Sequence, residues 1–167
     1  CGLSNLLVLN SMSKIFRLPG LRIGFIHGTE RKIERLRERM LPWSVNAMAQ
    51  AAVVYLMARQ EAVEGFVATS CRRLNEARQG LCDALAPISG LQTFPSCTSF
   101  VLMRLSNGWT AAEVWEAMAE ARVLIRDCSN FQGLGERYIR ISLKEDADNQ
   151  RAAYLLKEIL SLDGGRP

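Results

Sequence analysis

Ser11-Met12-Ser13-Lys14-Ile15-Phe16-Arg17-Leu18-Pro19-Gly20-Leu21-Arg22-Ile23-Gly24 sets one lysine between two serines and an arginine, at the mouth of a loop that contains glycine and proline. Two hydroxyls and a guanidinium within this span can donate to a phosphate, the guanidinium in a bidentate fork. Gly20 and Gly24 allow backbone to come close to a ligand. Neighbouring positive charge favours the free amine of Lys14, the form that condenses with a carbonyl. The plain alternative is a solvated lysine at a strand end.

The surroundings say what kind of chain carries this loop. At 167 residues the chain has room for one domain, or for a small domain plus part of another. Hydrophobic residues make up 49% and charged residues 23%, enough apolar material for a core and too little charge for disorder. No apolar run reaches the roughly 18 to 20 residues of a membrane span, and the chain opens on Cys1-Gly2-Leu3 with no leader pattern and no initiator Met. A fragment or a processed chain is expected, cytoplasmic in its habits. Five scattered cysteines and one histidine, with no C-x-x-C pair, argue for reduced thiols and against a disulfide framework or a metal site.

Leu6-Leu7-Val8-Leu9 reads as a short buried strand of a mixed or parallel sheet. Arg22 to Ile26 suits a second strand, and Thr29 an N-cap for a helix to about Met40. Ser44 to Ala86 has helical periodicity that is too long for one helix, so a break is expected near Arg59–Gly65. Its second half places Val63, Phe66, Val67, Ser70, Leu74, Ala77, Leu81 and Leu85 on one face. Strands follow at Leu91–Phe94 and Ser99–Arg104. Thr110-Ala111-Ala112-Glu113 is a capping box that opens a helix to about Ala121. Strands at Val123–Arg126 and Tyr138–Leu143 and a helix capped by Asp146, with Gly164 after it, complete the pattern. Residues 1–75 thus read as a piece of an α/β domain, and residues 76–167 as an α+β unit with helices on one face of a small sheet.

Arg140 lies in the strand Tyr138-Ile139-Arg140-Ile141-Ser142, where burial would be costly unless an anion meets it. An outward-facing edge arginine is the bland alternative. Arg126 opens a polar stretch, Arg126-Asp127-Cys128-Ser129-Asn130-Phe131-Gln132-Gly133-Leu134, which a loop between strands would also explain.

The string S-x-S-K-x-F-x-L-P-G-L-R-I-G closely resembles the cofactor-lysine motif of fold-type I aminotransferases of class I and II. Pro42-Trp43-Ser44-Val45-Asn46 resembles a second segment of that family in the expected order, although a helix start capped by Ser44 would give the same residues. The resemblance spans residues 4–162 and implies the C-terminal part of the fold-type I transferase fold. It implies pyridoxal 5'-phosphate (PLP) as cofactor, joined to Lys14, with Ser11, Ser13 and Arg22 on its phosphate. It further implies Arg140 on a substrate carboxylate, with Asn46 and Arg126 as further substrate contacts. Within the family, the stretch from Arg126 to Leu134 followed by Arg137-Tyr138-Ile139-Arg140 resembles the L-threonine O-3-phosphate decarboxylases of cobalamin biosynthesis, and next the histidinol-phosphate aminotransferases. The expected partner is a small phosphorylated amino acid, with neither nucleic acid nor membrane, in a homodimer. The family's Asp that pairs with the pyridine nitrogen has no counterpart before Lys14, so an isolated fragment is expected to be inactive.

A different class of reading starts from charge. The pI near 9.0 and the eight lysines and arginines against three glutamates between Lys14 and Arg39 would suit a nucleic-acid-binding domain. Most of that charge alternates with glutamate at helical spacing, aromatics are only 7%, and no nucleic-acid motif is present. A non-catalytic scaffold is the remaining alternative for the chain by itself.

Overall fold

The structure is a computed structural model that describes residues 3–106 and 108–161. The chain divides into two compact units, Cys1–Ser70 and Cys71–Pro167.

In the first unit, β1 (Leu7–Ser11) and β2 (Gly24–Gly28) pair antiparallel, in register from Leu7 opposite Gly28 to Ser11 opposite Gly24. Between them run the single-turn helix α1 (Met12–Ile15) and a 3-10 turn at Pro19–Leu21. The expected buried strand is therefore half of an antiparallel ribbon. Its apolar side chains are largely uncovered, with Leu9 74% and Phe25 52% exposed. Among the described residues two strands pair here, and the four-residue apolar run that suggested burial reports composition rather than neighbours.

Helix α2 (Glu30–Arg37) starts after Thr29 as expected but ends short of Met40, and the Thr29 side chain makes no capping hydrogen bond. Helix α3 (Ala47–Met57) is capped by Asn46, whose Oδ1 accepts from the Ala49 amide at 2.8 Å, rather than by Ser44. The break before α4 (Gln60–Leu85) falls at Ala58–Arg59. Gly65 continues inside that helix, where it costs about 1 kcal/mol relative to alanine. Of the apolar face expected on α4, only Leu81 and Leu85 are fully buried. Phe66 is 49% exposed and stacks on Phe16, with ring centroids 5.9 Å apart.

In the second unit, β3 (Leu91–Thr93), β4 (Phe100–Leu105), β5 (Arg126–Asp127) and β6 (Tyr138–Ser142) form an antiparallel sheet in the order β3-β4-β6-β5. Alternation sends Val101, Met103, Leu105, Ile139 and Ile141 to one face, against Val114 and Met118 of α5 (Ala111–Glu120), Leu156 of α6 (Asp146–Ser161), and Leu81 and Leu85. This cluster is the core, and it matches the expected sheet with helices on one face.

The capping box is present as read. Thr110 Oγ1 accepts from the Glu113 amide at 3.3 Å, and Glu113 Oε2 accepts from the Thr110 amide at 2.9 Å. The strand expected from Val123 shrinks to Arg126–Asp127 because α5 ends in a Schellman turn. The Val123 amide donates to Met118 O at 2.9 Å and the Arg122 amide to Ala119 O at 2.8 Å, with Arg122 left-handed at φ 59°. Asp146 is the first residue of α6 rather than its cap. The chain before α6 is held instead by buried Asn149, which accepts from Lys144 N and donates to Lys144 O, both at 3.0 Å. Gly164 lies outside the described residues. No helix among the described residues is long and apolar enough to cross a membrane.

Candidate functional site

β1 delivers the chain to the lysine loop. Ser11 is its last residue and the N-cap of α1, in extended conformation, and its hydroxyl makes no cap hydrogen bond. Ser13 is only 4% exposed. Neither hydroxyl has a protein partner among the described residues, so both remain available to a ligand. The Met12 amide donates to Ile23 O at 3.2 Å and the Leu18 amide to Ser13 O at 3.1 Å, which ties both ends of the loop together.

Arg22 sits in the left-handed region at φ 51°, a conformation that costs an L residue about 1 kcal/mol or more. Its Nη1 donates to Pro19 O at 3.2 Å, leaving the remaining guanidinium donors free. Gly24, opposite Ser11, is required by contact. A Cβ there would meet Asn10 O at 2.5 Å.

Ser11, Ser13 and Arg22 line one open cavity of about 670 Å³, whose other lining residues include the apolar Ile33 and Leu36. This donor set fits a phosphate: two unspent hydroxyls and a guanidinium face one space. Lys14 is exposed in the last turn of α1 and is not among the residues lining that cavity. Asn46 does not line it either. Its Nδ2 donates to Leu21 O at 3.2 Å while its Oδ1 caps α3, so it braces the turn that precedes Arg22.

The second unit carries the other two candidates. Arg140 stands on the sheet face opposite the core, directly across from Arg126 in the β5–β6 register. Like charges placed so repel unless something intervenes. The Arg140 guanidinium lies over Phe100, 4.4 Å from the ring centroid, and near Phe131 at 5.9 Å. Its Nε is buried and has no hydrogen-bond partner among the described residues. Arg126 lies 5.4 Å from the Phe131 centroid and donates from Nη2 to Asn130 Oδ1 at 3.0 Å.

The loop is set by local bonds. Asp127 Oδ1 accepts from the Ser129 amide at 2.8 Å, the Phe131 amide donates to Cys128 O at 3.0 Å, and Gly133 turns at φ 84°. Cys128, 1% exposed, reports the local field. Burial pushes its thiol up, Arg140 and then Arg126 pull it partly back, and Asp127 pushes it up again. The protonated thiol is an inert core group.

Sequence reasoning missed Phe100 and Phe131. Phe131 was inside the quoted string. The face of Phe100 was legible from alternation, since it precedes core-facing Val101 and lies two residues from Leu102, which opposes Arg140. Among the described residues no group of three or more His, Cys, Asp or Glu gathers to hold a metal.

The family model for aminotransferase class I and II matches residues 2–156. The threonine-phosphate decarboxylase of Salmonella typhimurium is 29% identical over 155 residues, 92% of this chain and 41% of that protein. The histidinol-phosphate aminotransferase of Methanosphaera stadtmanae is 30% identical over 158 residues, 94% of this chain and 42% of that protein. The crystal structure of L-threonine-O-3-phosphate decarboxylase from Porphyromonas gingivalis superposes with a TM-score of 0.82 at 34% identity, over 96% of this chain and 48% of that one. The chain thus spans less than half the length of these relatives.

Proposed function

The chain belongs to the aminotransferase class I and II family, and from that premise we propose that it is part of a PLP-dependent enzyme that decarboxylates L-threonine O-3-phosphate to 1-aminopropan-2-ol phosphate. The observation that carries the substrate choice is the Arg126–Arg140 pair. The two arginines are paired in one register position, and Arg140 carries a buried Nε without a partner among the described residues. That arrangement suits a ligand with two oxyanions on neighbouring carbons, and this substrate has a carboxylate and a phosphate so placed.

When bound, PLP supplies an electron sink for the bond broken at the substrate Cα. Ser11, Ser13 and Arg22 would hold its phosphate through hydroxyl and guanidinium donors. Lys14 would anchor it through the side-chain amine and would carry the proton at the substrate Cα. Arg140 takes the carboxylate in its planar fork, and Arg126 takes the substrate phosphate. Asn46 steadies the turn that presents Arg22.

The histidinol-phosphate aminotransferase reading uses the same residues, and a relative of that name is as similar to this chain as the decarboxylase is. The full-length enzyme decides between them. Carbon dioxide released from threonine phosphate without 2-oxoglutarate supports decarboxylation. Glutamate formed from histidinol phosphate and 2-oxoglutarate, with no carbon dioxide, overturns it.

A further inference from the structure

We propose that Phe131 is a positioning residue whose ring holds Arg126 and Arg140 side by side and leaves guanidinium donors available for one doubly anionic ligand. The proposal rests on the reading of that arginine pair as the substrate's anion site.

Two cations opposite each other on adjacent strands need a counterweight. A carboxylate would supply one, but it would also occupy the N–H donors that an incoming anion needs. The Asp127 carboxylate, next to Arg126 in sequence, is engaged with the Ser129 amide instead. The counterweight found here is aromatic. Phe131 lies 5.4 Å from the Arg126 guanidinium and 5.9 Å from that of Arg140, and Phe100 lies 4.4 Å from Arg140. A ring face attracts a cation through its quadrupole without accepting a conventional N–H hydrogen bond. The Arg140 Nε therefore stays unspent, and Arg126 gives only its Nη2, to Asn130 Oδ1.

Phe131 is also the only one of these two rings that touches both guanidiniums among the described residues. Its backbone is fixed by the Phe131 amide to Cys128 O bond and the Leu134 amide to Phe131 O bond, 3.0 and 3.1 Å. The Cys128 amide in turn donates to Tyr138 O at 2.9 Å, which ties the loop to β6, the strand of Arg140. A half-exposed phenylalanine that only filled space would need neither the ring nor this anchoring.

The test separates ring from bulk in the full-length enzyme. Phe131→Leu keeps an apolar side chain and removes the ring face; Phe131→Trp keeps a stronger face. The dissociation constant for L-threonine O-3-phosphate, by calorimetric titration, is expected to rise about tenfold in the leucine variant and to stay within about twofold in the tryptophan variant. KM is expected to rise with kcat little changed, and the melting temperature to stay constant. Phe131→Met replaces the leucine variant if that one fails to melt cooperatively. Equal affinities in wild type and the aliphatic variant overturn the proposal, as does weakening by tryptophan and leucine alike. Arg140→Gln, titrated in parallel, locates the fault. If it weakens binding while the aliphatic variant does not, only the role of Phe131 falls. If it too leaves affinity unchanged, the anion-site reading falls with it.

Discussion

Arg140 combines a buried, unpartnered Nε with a cation opposite it in register, and both features cost stability until an anion binds. Arg140→Lys keeps the charge and loses the fork. It should raise KM for the phosphorylated substrate about tenfold or more while leaving the melting temperature near wild type. Gly24 makes a contact requirement instead. In Gly24→Ala the new Cβ meets a backbone oxygen, Asn10 O at 2.5 Å, so β1 and β2 must part. Denaturant unfolding should show a loss of about 1–3 kcal/mol. One buried and one half-buried thiol add a pH dependence. Burial pushes Cys128 and Cys82 up, so unfolded thiols deprotonate before folded ones. Their contribution is complete below about pH 8.5 and is lost as pH rises through the folded values. The urea midpoint should fall through that alkaline window, less steeply in Cys128→Ala. At this scale the sequence displayed Lys14, Ser11, Ser13, Arg22 and Arg140, because charge and hydroxyl spacing are written in it. Alternation puts Phe100 on the face of Arg140, but which rings sit beside the arginines was not legible, because a cross-strand neighbour is set by register rather than by sequence distance.

Helix ends separate what local chemistry decides from what it does not. Thr110 and Glu113 close their box within four residues, so the pattern was readable and the structure contains it. Thr110→Ala should cost about 1 kcal/mol in equilibrium unfolding. The other end of α5 was misread. Val123 looks like a strand residue, yet its amide closes the helix, with Arg122 forced left-handed at φ 59°. Nothing in an arginine advertises that conformation. Arg122→Gly should therefore stabilise the chain by about 0.5–1 kcal/mol, raising the thermal midpoint. Asp146 was misread for a related reason. Asp is a common cap, but Asn149, three residues on, reaches back to both backbone atoms of Lys144 and organises the turn. Periodicity placed Leu81 and Leu85 correctly and overreached at Phe66 and Leu74, since a 3.6-residue repeat identifies a face without saying how much of its length is covered.

Across the whole molecule, burial is uneven. The large buried side chains belong to the second unit, from Leu81 to Ile159, whereas the β1–β2 ribbon leaves Leu9 and Phe25 in solvent. Hydrogen exchange should follow this division. Amides of β4 and β6 should be the slowest, and those of β1 and β2 should exchange orders of magnitude faster. The α+β character of the second unit was legible because its strands alternate and its helices carry caps. The pairing in the first unit was not, because an apolar run does not name its partner strand. The family assignment rests on a match over residues 2–156, and the functional proposal rests most heavily on Lys14. The most direct test is borohydride reduction of the full-length enzyme with PLP, followed by digestion and mass spectrometry. A pyridoxyl group is expected on the Lys14 peptide and is expected to be lost in Lys14→Ala. A pyridoxyl group on a different lysine in an active enzyme would contradict it.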